Sequence, residues 1–380
     1  MTRGTHGSLV IFLPFSGSFE KYRQMGILER EIVPFIHFSH FFSRTVIISY
    51  GRNEQAELKL MPQAGGLPNL RIKVNFLKLP VKLYHFLIPF LFFRTLARSD
   101  IFFVDQMTGA FPASIAAGIF RKKMIVRCGY ELLSFLEKQK ATKQRFLFFL
   151  FVESCAYYFA KIIIITSEEA RLFIQKKFRW IDQNKIVVIT NWIDIDLFHP
   201  KKIKKRIINN VISVGRLEEQ KNFCALIDAC AIYAVSLTIV GAGQLEAKLY
   251  HHASSKNVNL TIIPSVSNHK LPDILNQFRC FILPSIYEGC PKALLEAMAC
   301  GLVVIGTRVE GISSLITDKK NGILCEDDSK SIANAIHYVM SHPEEHELLG
   351  MNAIKNIYQF HSLESYLGKL REIFISLTRK

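Results

Sequence analysis

The stretch Pro284-Ser-Ile-Tyr-Glu-Gly-Cys-Pro-Lys-Ala-Leu-Leu-Glu-Ala-Met-Ala-Cys-Gly301 decides the fold of the region around it. It follows a short apolar run at 280–283, so a buried strand feeds a loop and then a helix. Pro291 suits the first helical position, where a missing N–H costs nothing, and Gly301 suits a helix end. A helix that begins near Gly289 to Lys292 presents free N–H groups and the positive end of its dipole. The stretch therefore predicts a unit that can bind an anion.

The same alternation of short apolar runs and longer helical segments fills the chain of 380 residues, which is the pattern of a wound parallel sheet. In the first half we expect strands at 9–13, 45–48, 71–76, 101–104, 123–126, 162–166 and 186–189. In the second half we expect them at 211–214, 236–240, 259–263, 280–283, 302–305 and 322–324. The stretch 191–206, which reaches a proline and then turns basic, is the best linker candidate. The sequence thus predicts two doubly wound Rossmann-like domains, 1–195 and 196–360, and a C-terminal helix at 361–380 that could cross back to the first domain.

Composition excludes several classes of protein. Hydrophobic residues make up 49% of the chain and charged residues 21%, with no repeat or low-complexity tract, which excludes disordered and fibrous proteins. The eight cysteines form no C-x-x-C pair, and the short apolar start lacks the features of a signal peptide. We therefore expect a cytoplasmic protein without structural zinc.

Two further glycine-bearing loops follow predicted strands of the second domain. Residues 214–222 contain Gly215, Arg216 and Lys221, and residues 239–246 contain Gly241 and Gly243. Carboxyl ends of parallel strands are where doubly wound folds bind ligands, so both loops should meet the loop at 289–292. Three such loops in this order predict one binding site.

Glu288 and Glu296 are the carboxylates of this site. On one continuous helix they would stand about 12 Å apart, too far for the pair of a glycoside hydrolase, which sits roughly 5 to 9.5 Å apart. The separation suits hydroxyl groups at opposite ends of one extended ligand. A role in helix stability and solubility explains these two glutamates equally well.

With these motifs, the chain from about residue 186 onward resembles the GT-B retaining glycosyltransferases of family 4, also called glycosyltransferases group 1. The resemblance implies two domains that face a central cleft. It also implies that Arg216 and Lys221 bind the diphosphate of a nucleotide sugar, Glu288 the sugar hydroxyls and Glu296 the ribose. In this interpretation Glu288, Arg216 and Lys221 are catalytic. The donor site is completed by the loop and glycine positions Gly215, Gly241, Gly243, Gly289, Cys290, Pro291 and Lys292.

The N-terminal half departs more from that family. A Gly-Gly loop usually follows the first strand, whereas here only Gly17 is present, and the family's frequent histidine after a middle strand is replaced within 126–131. Acceptor-side candidates are Gly17, Arg127, Gly129, Tyr130 and Glu131. A helix cap or a packing role is an equally good explanation for them.

We expect neither a metal nor another cofactor. The only D-x-D, at Asp194 and Asp196, lies in the linker candidate and fits the family's Asn-x-x-Asp-x-x-x-Phe pattern instead. Arg216, Lys221 and helix N-termini would then neutralise the departing nucleoside diphosphate.

The excess of positive charge lies mainly in the first half of the chain, so it bears on what the first domain binds. Residues 1–194 carry 27 Lys and Arg against 14 Asp and Glu, and the remainder carries 21 against 18. Two Phe- and Leu-rich segments flanked by bases, at 83–93 and 146–151, are too short to span a membrane but suit interfacial helices. An ordinary core helix with solvated ends explains each of them equally well.

The resemblance together with this charge predicts retaining transfer of a sugar, such as that of a UDP-sugar, to a glycan or lipid-linked acceptor. We expect this at the cytoplasmic face of the inner membrane, on an anionic surface, in the synthesis of a bacterial surface polysaccharide such as lipopolysaccharide, O-antigen or capsule. A nucleotide-sugar epimerase of the same fold is the enzymatic alternative. A basic nucleic-acid-binding protein is the other, although the sequence lacks the motifs of such proteins, so no nucleic-acid partner is expected.

Overall fold

The computed structural model describes residues 5–54, 67–129, 132–138, 140–202, 207 and 209–378. The chain forms two compact units, the first made of Met1–Thr190 with Leu367–Lys380 and the second of Asn191–Tyr366. Each unit has its own parallel sheet and its own hydrophobic core. Among the described residues, no helix has the length and apolar character needed to cross a bilayer.

The sheet of the first unit has the strand order β3-β2-β1-β4-β5-β6-β7, and every pairing is parallel. Its strands are β1 (Thr5–Phe12), β2 (Phe42–Ile48), β3 (Leu70–Lys73), β4 (Ile101–Val104), β5 (Lys123–Cys128), β6 (Ala160–Ile165) and β7 (Ile186–Val188). Because helices cover both faces of such a sheet, its strands read as continuous apolar runs such as Ile162 to Ile165. The strand order reverses between β1 and β4, where Leu9 pairs with Ile101.

Helices surround this first sheet. They are α1 (Phe19–Gln24), α2 (Leu28–Phe41), α3 (Val81–Leu91), α4 (Phe93–Ala97), α5 (Ala110–Phe120), α6 (Leu132–Lys138), α7 (Lys143–Phe159) and α8 (Glu168–Lys177). Helix α5 packs against both α3 and α7, which places these three helices in one layer. The end of the chain also belongs to this unit, because Phe374 packs edge-on against Phe38 and Phe42 with ring centroids 5.2 and 5.1 Å apart.

The sheet of the second unit has the order β10-β9-β8-β11-β12-β13 and is also parallel. Its strands are β8 (Asn210–Val214), β9 (Ser236–Val240), β10 (Leu260–Ile263), β11 (Cys280–Leu283), β12 (Val303–Thr307) and β13 (Ile323–Cys325). The order reverses between β8 and β11, so a crevice for ligands is expected at the carboxyl ends of these two strands.

The remaining helices follow in the same alternation. They are α9 (Phe223–Ile232), α10 (Glu246–Ser255), α11 (Leu271–Leu275), α12 (Lys292–Ala299), α13 (Glu310–Ser313), α14 (Ser329–Ser341), α15 (His346–Phe360) and α16 (Leu363–Thr378). The buried faces of α9 to α15 and the two faces of the sheet form the core of this unit, whereas α16 belongs to the first unit from Leu367 onward.

The prediction of two doubly wound sheets is confirmed, and each of the thirteen expected strands is present with ends shifted by a few residues. One local expectation is wrong: the strand expected at 71–76 ends at Lys73. Helix α12 begins at Lys292, within the predicted range of 289–292, and Pro291 is its N-cap. Glu288 therefore lies in the preceding loop, so the separation calculated for one continuous helix does not apply to Glu288 and Glu296. Gly301 does end the helix in the left-handed region, with φ of +71°.

Candidate functional site

The loops that follow β8 and β9 are bound to each other. The amide of Gly215 donates to the carbonyl of Val240 at 3.0 Å, and the amide of Leu217 donates to that of Ala242 at 3.1 Å. A Cβ on Gly241 would lie 1.9 Å from the carbonyl oxygen of Gly215, so only glycine permits this approach. The two glycine-bearing loops predicted from the sequence therefore form one edge of the crevice.

Lys221 and Glu288 meet between β8 and β11. The ammonium of Lys221, in the loop after β8, donates to Oε1 of Glu288, in the loop after β11. Their side chains are only 13% and 9% exposed, so water and salt screen this pair less than a surface pair. Two residues that the sequence assigned to one site, 67 positions apart, are thus in direct contact. A cation and a carboxylate at this position can hold an anionic group beside a group rich in hydroxyls.

Gln220 ties the same two loops together. The side-chain amide of Gln220 donates to the carbonyl of Tyr287 at 2.8 Å, and the backbone carbonyl of Gln220 accepts from the amide of Ile286 at 2.9 Å. Gly311, after β12, closes the other side, because a Cβ there would lie 1.9 Å from the carbonyl oxygen of Gly289. Sequence reasoning missed both residues, since nothing local marks a contact between distant loops.

Ser285 holds the carboxylate of Glu288 in place, and Thr307 holds Ser285 in place. Both are fully buried. The hydroxyl of Ser285 donates to Oε1 of Glu288 at 2.7 Å, and the hydroxyl of Thr307 donates to the carbonyl of Ser285 at 2.6 Å. The one available sequence signal was a small polar residue placed directly after a buried strand and its proline.

The other predicted donor-site residues occupy different environments. Arg216 is 69% exposed and pairs with Glu218 at 2.9 Å, an exposed pair of the kind that contributes little to stability. Glu296 is buried in the second turn of α12. Gly215 lies beneath the side chain of Lys221, whose Cε would be 3.2 Å from a Cβ at that glycine.

The loop that carries Cys290, Pro291 and Lys292 is held by residues from the start of the second unit. The side-chain amide of Asn191 donates to the carbonyl of Cys290 at 2.7 Å. The ammonium of Lys292 lies 5.6 Å from the centroid of the Trp192 ring, within cation–π range. These contacts give Trp192 a packing role against this loop.

In the first unit, the structure describes three of the five acceptor-side candidates. Gly17 lies in the turn after β1, and its amide donates to the carbonyl of Pro14 at 2.7 Å. Arg127 is buried and lies 3.6 Å from Asp105, which joins the ends of β4 and β5. The amide of Gly129 donates to the side-chain oxygen of Gln106 at 3.2 Å, so its hydrogen bond is made within the protein. Tyr130 and Glu131 lie outside the described residues.

A histidine that sequence reasoning did not single out lies in an aromatic cluster of the same unit. His85 is hydrogen-bonded to the hydroxyl of Tyr50, and its ring stacks on Phe111 with centroids 6.0 Å apart. Burial lowers the pKa of His85 to about 4, because an apolar environment disfavours the charged imidazolium. His85 is therefore neutral at physiological pH.

In the part of the chain that the structure describes, three or more His, Cys, Asp or Glu side chains do not come together as a metal site. Asp194, from the D-x-D, accepts hydrogen bonds from the amides of Asp196 and Leu197 at 3.0 and 3.1 Å. It stabilises a local turn.

Two sheets of this strand order with a polar site at the switch point define a protein of the GT-B class. Crystal structures of Anabaena HepE share this fold. The complex of HepE with UDP-glucose matches over 98% of this chain and 100% of that chain, with a TM-score of 0.75 and 17% identity. The lipopolysaccharide outer core galactosyltransferase WaaB in its apo form matches with a TM-score of 0.64 over 97% of this chain and 99% of its own, at 18% identity.

Sequence comparison agrees with this fold. Residues 194–356, most of the second unit, match the family model of glycosyl transferases group 1. The chain is 27% identical over 248 residues to the UDP-Gal:alpha-D-GlcNAc-diphosphoundecaprenol alpha-1,3-galactosyltransferase of Escherichia coli, covering 60% of this chain and 62% of that protein. It is 30% identical over 169 residues to the putative colanic acid biosynthesis glycosyltransferase WcaL of E. coli K12, covering 40% and 42%. The chain thus spans less than two thirds of the length of these relatives.

Proposed function

We propose that this chain is a retaining glycosyltransferase that moves a sugar from a nucleoside-diphosphate sugar, a UDP-sugar, to a hydroxyl of a lipid-linked glycan. The observation that carries the proposal is the contact of Lys221 with Glu288 at the switch point of the second sheet. The HepE structure that shares the fold contains UDP-glucose, and the E. coli relative is named for a UDP-sugar and a diphosphoundecaprenol acceptor. The first supports a UDP-sugar here, and the second supports a UDP-sugar and a lipid-linked acceptor.

The chemistry follows from the charges of the site. The ammonium of Lys221 neutralises the diphosphate as negative charge develops on it, together with the exposed Arg216 and the N-terminus of α12. Glu288 accepts hydrogen bonds from hydroxyls of the transferred sugar, and Glu296 accepts them from the ribose. Preorganised charge supplies the electrostatic stabilisation, so the proposal needs no metal.

For the transfer itself we propose a front-face reaction. The bond between the anomeric carbon and the phosphate oxygen breaks, and the acceptor oxygen bonds to the anomeric carbon on the same face. The acceptor proton passes to the departing phosphate oxygen, so no separate protein base is required. The products are the glycoside with retained configuration and the nucleoside diphosphate.

Turnover and product configuration test this function directly. The purified chain is screened by thermal unfolding against nucleotides and nucleotide sugars, since a ligand at 100 times its dissociation constant stabilises by about 2.7 kcal/mol. The best nucleotide sugar is then incubated with diphosphoprenyl-linked acceptors, and the product anomer is assigned by NMR. An inverted anomer would exclude the retaining reaction, and the absence of transfer or hydrolysis across the panel would exclude the transferase.

The first unit supplies a surface suited to such an acceptor. Helices α3, α5 and α7 form one layer, and each exposes large apolar side chains. We call this set the apolar layer surface, and it comprises Leu83, Phe86, Phe90, Ile119, Leu147, Phe148 and Phe151. Exposure reaches 63% at Phe90 and 57% at Phe151. Extended patches of exposed apolar side chains mark protein or membrane interaction sites.

Exposed bases flank the apolar layer surface at its α3 and α7 segments. They are Lys78, Lys82, Arg94, Arg98, Lys140, Lys143 and Arg145. Each base near an anionic leaflet contributes on the order of 1 kcal/mol, and a fully buried Phe or Leu contributes roughly 1.5 to 3 kcal/mol. We propose that this surface docks the enzyme peripherally on the cytoplasmic face of the bacterial inner membrane, where lipid-linked acceptors for surface polysaccharides reside.

Liposome co-sedimentation tests the docking surface. The variant Lys78/Lys82/Arg94/Arg98→Ser should lose most binding to anionic vesicles, and Phe86/Phe90→Ser should lose the fraction that resists high salt. The matched control changes four exposed lysines of the second unit, Lys270, Lys320, Lys330 and Lys355, to serine and removes the same charge. Equal losses in the control and the test variant would show that net charge alone attracts the protein. Wild type that ignores anionic vesicles would rule out docking altogether.

A further inference from the structure

Ser285 occupies a place between the core and the ligand-binding loop. It is the second residue after β11 and is fully buried, yet its hydroxyl is not used within the sheet. The hydroxyl donates to Oε1 of Glu288 at 2.7 Å. A hydroxyl that bonds to a carboxylate makes a charge-assisted hydrogen bond, which is stronger than a neutral one.

Glu288 divides its two carboxylate oxygens between separate tasks. Oε1 accepts both from the Ser285 hydroxyl and from the Lys221 ammonium. Within the described part of the chain, Oε2 accepts no hydrogen bond. One oxygen is therefore held by the protein, and the other remains available to a ligand.

The two groups that hold Oε1 differ in what a nucleotide sugar would do to them. Lys221 is a cation, so an arriving diphosphate competes with Glu288 for its ammonium. Ser285 is neutral and is fixed by its surroundings, because its carbonyl accepts from Thr307 at 2.6 Å and its side chain is enclosed by the core. When Lys221 turns to the diphosphate, Ser285 is the group that still orients the carboxylate.

We propose that Ser285 is a positioning residue that keeps Glu288 oriented toward the sugar while Lys221 engages the diphosphate. The inference rests on the proposed function, in which Glu288 contacts the transferred sugar and Lys221 the diphosphate. Ser285 should therefore favour binding of the nucleotide sugar over binding of the bare nucleotide. Only the nucleotide sugar has a sugar hydroxyl that can donate to Oε2 of Glu288.

The test compares affinities for two ligands in three variants. Ser285→Ala removes the hydroxyl, and Ser285→Thr retains it. The matched control is Ser213→Ala in β8, another fully buried serine of the same sheet, whose hydroxyl donates to the carbonyl of Ile282 at 2.6 Å and does not touch Glu288. Calorimetry measures the Kd of UDP and of the UDP-sugar that wild type turns over fastest, kcat and KM are measured with that sugar, and thermal unfolding verifies the fold of each variant.

Ser285→Ala should weaken binding of the UDP-sugar roughly 10-fold or more, as expected for a hydrogen bond to a charged group, and change UDP affinity by less than about 2-fold. Its kcat should fall as well, since the sugar is held less well in the reacting state. Ser285→Thr should recover the ratio of the two affinities, and Ser213→Ala should leave that ratio at the wild-type value.

Two results would overturn the inference: an unchanged ratio of the two affinities in Ser285→Ala, which includes equal losses for UDP and UDP-sugar, or the same change of ratio in Ser213→Ala. These results are distinguishable from failure of the proposed function, which wild type itself reveals. A wild type that binds and turns over no nucleotide sugar overturns both. A wild type that transfers sugar while Ser285→Ala keeps its ratio overturns only the role of Ser285.

Discussion

The pair of Lys221 and Glu288 can be tested by stability alone, independently of any substrate. Lys221→Met leaves a carboxylate that is only 9% exposed without its cation, and Glu288→Gln leaves the ammonium without its carboxylate. Removing one partner of a fully buried pair costs 3–5 kcal/mol, and because this pair retains some exposure we expect about 2–3 kcal/mol for Lys221→Met. The combined variant Lys221→Met/Glu288→Gln has no unpaired charge, so it should be less destabilised than the sum of the single changes by at least about 1 kcal/mol.

Thermal and urea unfolding of the four proteins measure this coupling. For a domain of 150–250 residues, 1 kcal/mol shifts Tm by roughly 2–4 °C, so Lys221→Met should lower the transition of the second unit by about 4–12 °C. The combined variant should regain part of that stability but not UDP-sugar binding, because the ligand requires both groups. Additive effects, within roughly 0.5 kcal/mol, would mean that the two side chains are not coupled in solution and that the proposed site is wrongly built.

Three further predictions concern separate features of the chain. Glu296→Gln, which preserves the volume of this buried side chain, should weaken nucleotide affinity by roughly 10- to 100-fold in a folded protein, as measured by calorimetry; normal affinity would remove Glu296 from the donor site. Turnover should persist in EDTA, and complete loss restored by Mg²⁺ or Mn²⁺ would contradict the metal-free proposal. Because the pKa of folded His85 is about 4, below the roughly 6.5 of an unfolded histidine, its contribution to stability is present above pH 6.5 and is lost as the pH falls toward 4. Urea unfolding at pH 7 and pH 5 should show about 2 kcal/mol less acid destabilisation in His85→Gln than in wild type, and an equal loss in both proteins would show that other groups control it.

The fold was predictable because its strands carry a strong local signal. A strand buried on both faces must be apolar throughout, so runs such as 101–104, 236–240 and 280–283 appear in the structure with the expected bounds. Gly301 was equally predictable, since a residue without Cβ adopts the left-handed conformation at the end of a helix at the lowest cost. Such features depend on neighbours in sequence.

The contacts that build the site were less predictable. The sequence places Lys221 and Glu288 at the same sheet edge but does not reveal that they touch, or that Ser285 and Gln220 hold the loops in position. The contacts of Lys221 and Gln220 join loops that follow different strands, and a pattern of apolar and polar positions reports which side of an element faces the core, not which partner it meets.

The two Phe-rich segments show that composition does not reveal which phenylalanines are buried and which are exposed. The sequence left two interpretations equally open, a core helix and an interfacial helix, and the side chains of α7 are divided between partly buried and exposed positions. Phe146 and Phe149 pack partly into the core, whereas Phe148 and Phe151 are more than half exposed on the same helix. A core alone would require phenylalanine on one face only, so the second face needs its own explanation. Helix α5 packs against both α3 and α7, so two segments that are separate in sequence belong to one helical layer. That shared layer, rather than the abundance of phenylalanine, is the reason to test it with vesicles.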